Sequence, residues 1–181
     1  MATPTLDTLA AVRANQEAYD ILCHFDLYLE RPEDRHQHIY RIERTERLDL
    51  IATDPGGNHF LLCHPGGHIV LATSEGQAAV VAANLSAFIE LTLIHPYWRE
   101  FASRDLKTMT EAVEDEEETA LDEQPDLNEW RERLWVEFDL DEPSAPPDPL
   151  PSLHCALTQL SEGLVVRVTT DLDYTVEPLV R

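Results

Sequence analysis

Basic side chains are scarce in this chain of 181 residues: 13 Lys and Arg stand against 35 Asp and Glu, a formal net charge of −22. A field of that sign repels nucleic acid and anionic membrane surfaces, which excludes both as partners and favours a basic protein instead. Cysteine is scarce too. Cys23, Cys63 and Cys155 make an odd count, which excludes a full disulfide framework and points to a reducing, cytoplasmic compartment. No apolar run approaches the ~18 residues that a membrane-crossing helix needs. Residues 1–16 have no basic region followed by an apolar block, so no secretory signal is expected.

Reactive motifs are also missing. Gly56-Gly57 and Gly66-Gly67 are turn pairs, and neither opens a helix with a Lys, so no loop cradles phosphate. There is no G-x-S-x-G elbow for a Ser nucleophile. Cys23-His24, Cys63-His64 and His154-Cys155 lack the spacing by which one turn grips zinc; a buried Cys beside an exposed His is the expectation. Asp139, Asp141 and Glu142 resemble a fragment of a calcium loop without its Gly and terminal Glu. The chain therefore predicts no enzyme, no cofactor and no metal.

What the chain does have is concentrated in residues 48–96. Leu48–Thr53 is apolar and ends at Asp54-Pro55-Gly56-Gly57-Asn58. His59–Cys63 is apolar and ends at His64-Pro65-Gly66-Gly67, and His68–Thr73 is a third run. Pro sets φ for a turn and Gly supplies the positive φ that follows, so the pattern predicts a tight antiparallel meander. A helix over 84–94 follows, with Asn84 or Ser86 as N-cap and Leu85, Phe88, Ile89, Leu91 and Thr92 as its inner face.

This stretch resembles the SUKH superfamily, which includes the Smi1/Knr4-type domains. The likeness rests on Leu50-Ile51-Ala52-Thr53-Asp54, Gly56-Gly57-Asn58-His59-Phe60-Leu61-Leu62, Ile69-Val70-Leu71 and Asn84-Leu85-Ser86-Ala87-Phe88-Ile89. It covers roughly fifty residues and is a pattern of turns and apolar positions. The resemblance implies an α+β interaction module. In bacteria it implies an immunity protein that binds and neutralises a toxin, often a nuclease.

Elsewhere, residues 5–19 predict one helix, with Leu6, Leu9, Val12 and Tyr19 as a stripe. Ile21–Glu30 alternates and predicts a strand, and His38–Thr45 predicts a second one near a sheet edge. With the meander this makes a five-strand run. Residues 111–126 hold nine carboxylates and no base, which predicts a solvated, mobile segment or a frayed helix end. Asp126 and Glu129 resemble a capping box ahead of a core stripe formed by Leu127, Trp130, Leu134, Trp135 and Phe138. Residues 139–151 read as a Pro-rich linker. Residues 153–160 read as a helix or a strand, because Ser161-Glu162-Gly163 fits either a helix stop or a hairpin turn, and the hairpin is preferred; Leu164–Thr170 and Thr175–Val180 read as strands around Asp171-Leu172-Asp173.

The fold class expected is α+β, an antiparallel β-meander sheet packed by helices with a C-terminal helix and β-hairpin extension. Residues 1–103 form the SUKH-like unit, 104–151 the acidic segment, amphipathic helix and linker, and 152–181 the C-terminal β extension.

The function expected is a non-enzymatic module for a cationic protein, contacted through Glu114, Glu116, Glu117 and Glu118. Asp54 and Glu75 at the sheet turns and an exposed Trp98 complete the candidate surface. Two alternatives stand beside it: an acidic secretion or folding chaperone, and a small-molecule site or enzyme at Tyr40, His59 and His68.

Overall fold

The computed structural model describes residues 4–36, 39–102, 105–140, 148–168 and 174–179. Two short helices, α1 (Leu6–Ala14) and α2 (Gln16–Cys23), lead into the strands β1 (Tyr28–Leu29) and β2 (Tyr40–Ile42). The meander follows as β3 (Arg47–Thr53), β4 (His59–His64), β5 (Ile69–Ala72) and β6 (Gln77–Ala82). The chain then turns helical: α3 (Leu85–Ile94), α4 (Trp98–Phe101), α5 (Leu106–Glu123), α6 (Leu127–Glu137) and α7 (Leu150–Cys155), the last running into a π-helical turn at Ala156–Leu160. It ends in β7 (Val166–Val168), β8 (Tyr174–Thr175) and β9 (Glu177–Pro178).

This is a mixed α+β fold built on a mostly antiparallel sheet of order β1-β3-β4-β5-β6-β9, in which only the β6–β9 pair is parallel. A three-stranded sheet, β2-β7-β8, covers its other face. Alternate residues feed two cores. Phe60, Leu62, Ile69, Leu71, Ala79 and Val81 face the helices, while Leu61, Cys63, Val70, Ala72, Ala78 and Val80 face the small sheet. Both faces being dry explains why these strands read as unbroken apolar runs rather than as alternation. The turns are as expected, with Gly57 at φ 74° and Gly67 at φ 79°, conformations that a Cβ disfavours. Asn84 caps α3, its side chain accepting the Ala87 N–H at 2.9 Å.

Several expectations are corrected. The helix over 5–19 breaks at Asn15, which ends α1 and whose side chain caps α2 by accepting the Ala18 N–H. Ile21–Glu30 is therefore not a strand. Leu22 is an apolar residue at an even position of that alternation, and it pairs with Ala18 at helical spacing, both buried. Only Tyr28 and Leu29 reach the sheet. The strand expected at 38–45 leaves the meander and pairs with β7, Tyr40 opposite Val168 and Ile42 opposite Val166; its His38 lies outside the described residues. β6 was not expected, because an Ala-rich segment carries little β signal.

The acidic segment is an ordered helix. Asp105 caps α5 by accepting the Thr108 N–H at 3.1 Å, and Met109, Val113 and Ala120 are buried along one stripe. Like-charge neighbours cost a few tenths of a kcal/mol per pair, whereas burying a Met or Val side chain yields ~1.5–3 kcal/mol, so packing wins. Asp126 makes no side-chain cap, although α6 begins where the pattern placed it. The hairpin preferred around Ser161 is instead the end of α7. Leu150, Leu153, Ala156 and Leu157 are buried at helical spacing, and Pro151 sits in the first turn, where proline is tolerated. Ser161 Oγ then accepts the Val80 N–H at 2.8 Å, closing part of the β6 edge. Of the linker and the final hairpin, residues 141–147, 169–173 and 180 lie outside the described residues.

Candidate functional site

The β3–β4 turn is built around Asp54, a buried carboxylate. Its Oδ1 accepts the Asn58 N–H at 3.0 Å and its Oδ2 accepts Asn58 Nδ2 at 2.8 Å. Asn58 Oδ1 in turn accepts the Ser74 N–H at 3.0 Å, which draws the β5–β6 turn and its exposed Glu75 to the same end of the sheet. Two predicted residues, Asp54 and Glu75, therefore sit on linked turns.

At that end Asp26, Asp54, Gly56, Asn58, Tyr97, Arg99 and Glu100 line a cleft of about 260 Å³. Asp26 holds φ 55°, a left-handed conformation that Asp tolerates better than most residues, between the buried Phe25 and Leu27. Arg99 lies along the cleft with a side chain only 11% exposed; its Nε is 3.5 Å from Asp54 Oδ2 and its Nη2 is 3.8 Å from Asp26 Oδ2. Nη2 also donates to the Phe25 carbonyl at 3.4 Å. Burial pulls the Arg99 guanidinium down, and Asp54, Asp26 and Glu100 pull it back up. Tyr97 forms a wall. Burial pushes its phenol up, and Asp26, Glu123, Glu116 and Glu100 push it further, so the ring is neutral at physiological pH.

The four glutamates predicted on the acidic segment divide. Glu114 and Glu118 point outward with Glu111, Asp115 and Asp122, forming an exposed anionic face on α5. Glu117 is structural: Arg131 Nη1 and Nη2 donate to its two oxygens at 2.6 and 2.7 Å, and the same guanidinium donates to the Leu93 and Ile94 carbonyls at 2.8 and 3.0 Å. Arg131 thereby satisfies the C-terminal carbonyls of α3 and clamps α5 to α6. Glu116 is half-buried and bears on Tyr97.

Trp98 is corrected. It is 0% exposed, packed 6.4 Å from the Phe60 ring, and offers nothing to a partner. A helix of four residues places it inward while its neighbours Tyr97 and Arg99 line the cleft. Along α6, Leu127, Leu134 and Phe138 are core, whereas Trp130 is partly exposed and stacks on His24 at 4.3 Å. Tyr40 and His59, singled out for a small-molecule site, hydrogen bond to one another at 3.0 Å, and burial pulls His68 below the usual imidazole range. Among the described residues, no three His, Cys, Asp or Glu side chains are grouped to hold a metal ion. Cys63 is buried beneath the small sheet, which pushes its thiol up to about 12. No helix among the described residues is long and apolar enough to cross a membrane.

One polar cluster escaped the sequence reading. Asp49, 1% exposed, has His64 Nε2 at 2.7 Å, Arg47 Nη2 at 3.0 Å and His36 Nδ1 at 2.9 Å. Arg35 is buried nearby, and its carbonyl accepts the Leu50 N–H at 2.8 Å. The cluster ties the loop before β2 to the central strands. Its signal was an Asp inside an otherwise apolar strand, two residues from an Arg on the same face. The chain matches no family model, no curated protein and no solved structure.

Proposed function

We propose that this chain is a non-enzymatic protein-binding module that captures a cationic protein, specifically a cytoplasmic immunity protein of the SUKH type acting on a nuclease toxin. The observation that carries the reading is α5. Its buried stripe holds Glu111, Glu114, Asp115, Glu118 and Asp122 in fixed rows on the outside, so the negative charge is a rigid surface and not a loose tail. A nuclease must present positive charge to hold phosphate, and an anionic face speeds its encounter and blocks its substrate. The SUKH part of the reading rests on the sequence pattern of β3, β4, β5 and α3, and β6 between β5 and α3 departs from that pattern.

The test is coexpression with the toxin encoded beside this chain. Neutralised toxicity and a co-eluting complex on gel filtration are expected, and E114K with E118K should weaken both. Unrestrained toxicity with no complex overturns the reading.

A further inference from the structure

We propose that the cleft at the β3–β4 turn is an anchoring socket for one arginine or lysine side chain of a protein partner. The inference rests on the reading above that the partner is cationic, and adds where one of its side chains inserts. Three carboxylates, Asp26, Asp54 and Glu100, line the cleft against one guanidinium, Arg99. That guanidinium is not a mobile counter-ion. It is about nine-tenths buried, wedged beneath Asp54 and below the rings of Trp98 and Phe60, 5.8 and 6.0 Å from their centroids. Asp54 is further occupied by Asn58. Asp26 is 47% exposed and 3.8 Å from Arg99, beyond hydrogen-bond reach, and Glu100 is exposed at the rim. Two carboxylates at the mouth thus have charge to spare.

The aromatic wall has the same preference. Tyr97, neutral at physiological pH, lines the cleft beside Asp26 and Glu100, and the negative charges of Asp26, Glu123, Glu116 and Glu100 all bear on its phenol. A cation inserted there gains both ring and carboxylates, while an anion is rejected. The floor adds a second preference. Arg99 Nη1 is shielded from solvent and has no acceptor among the described residues. A buried donor left unpaired is costly, so an occupant that brings an oxygen within reach of Nη1 gains more than a cation alone. A peptide residue carries both, a charged side-chain head and its own backbone carbonyl.

The test uses N-acetyl-arginine methylamide as the probe and its citrulline counterpart, which keeps the shape and loses the charge. Both are titrated into the full chain and followed by two-dimensional NMR. Saturable shifts are expected at the Gly56, Asn58 and Tyr97 amides and at Arg99 Nε–H, with the arginine probe only. D26N should weaken binding roughly tenfold or more, since a desolvated charge pair is lost. Asn tolerates the left-handed backbone at that position, so the fold is kept. E132Q, on the exposed side of α6, should leave the affinity within about twofold. Equal binding of the citrulline probe, shifts spread evenly over exposed carboxylates, or an unchanged D26N overturns the socket. If a basic partner co-elutes equally well with D26N, the socket fails and the docking function stands. If the arginine probe binds but no basic protein does, the reverse holds.

Discussion

Met109→Ala tests whether the acidic helix is docked. Met109 is fully buried on α5, one turn before Val113, and the helix packs on α4 and α7. Truncation removes the transferred apolar surface and leaves a cavity, which costs about 2–4 kcal/mol for a Met at a well-packed site. For a chain of this size each kcal/mol lowers Tm by roughly 2–4 °C, so a fall of about 4–16 °C is expected. Thermal melting by circular dichroism reads it. Glu114→Gln is the control. Its side chain is exposed among Glu111, Glu117 and Glu118, so removing its charge should leave Tm unchanged or raise it slightly.

Local stability should follow the same logic. In the parent, amides of residues 109–120 should exchange with solvent as slowly as those of α3. In the Met109→Ala variant they should exchange faster than the rest, and protease cleavage should appear in 111–126. A variant melting within a degree of the parent, with α5 amides unprotected in both, would refute the docked helix. It would return the acidic segment to the solvated state that its composition suggests.

Replacing Arg131 by Ala should cost about 2–3 kcal/mol in chemical denaturation, because Glu117 and two α3 carbonyls lose a shared donor; Lys should restore little, since it cannot bridge both oxygens. Asp49→Ala should cost about 3 kcal/mol, leaving Arg35 buried without the carboxylate whose charge bears on it most, whereas Asp49→Asn, which keeps an acceptor, should cost about half as much. Burial pulls His68 and His95 below the ordinary value of 6.5, so the unfolded chain binds their protons first. Stability is then full above pH 6.5 and falls as pH drops through the window down to the lowered values; His68→Gln with His95→Asn should flatten that slope in urea titrations at stepped pH.

The parts legible in the sequence are those whose determinants are local. Pro55-Gly56-Gly57 and Pro65-Gly66-Gly67 mark their turns because proline fixes φ and glycine permits φ > 0, so β3, β4 and β5 follow. Asn84 and the apolar face behind it mark α3. Misreadings arose where two periods overlap or where a few residues outweigh many. Ala18 and Leu22 set a helix beneath an apparent alternation, and Met109, Val113 and Ala120 hold a helix beneath eight carboxylates. The pairing of β2 with β7 and of β6 with β9 joins segments about a hundred residues apart, and nothing local encodes such a register. The cleft is illegible for the same reason. Asp26, Asp54 and Tyr97 come from three separate turns, and only Asp54 stood in a recognisable one.

The distribution of cations explains how a chain of net charge −22 both folds and stays anionic outside. Few positive side chains are available, and several are spent internally: Arg99 under Asp54, Arg131 on Glu117, and Arg35 beside Asp49. Arg99 and Arg131 each staple a carboxylate and a backbone segment, and none of the three dilutes the outer face of α5. Self-repulsion among the exposed carboxylates therefore opposes folding, while their field attracts a basic partner. Salt screens both, since the Debye length is ~8 Å at physiological ionic strength. Raising sodium chloride should increase Tm and at the same time slow association with a basic protein, two effects of opposite consequence from one cause. A Tm that falls with salt would mean that surface ion pairs such as Lys107–Glu111 and Arg133–Glu17 dominate. An association rate indifferent to salt would mean that the anionic face steers nothing.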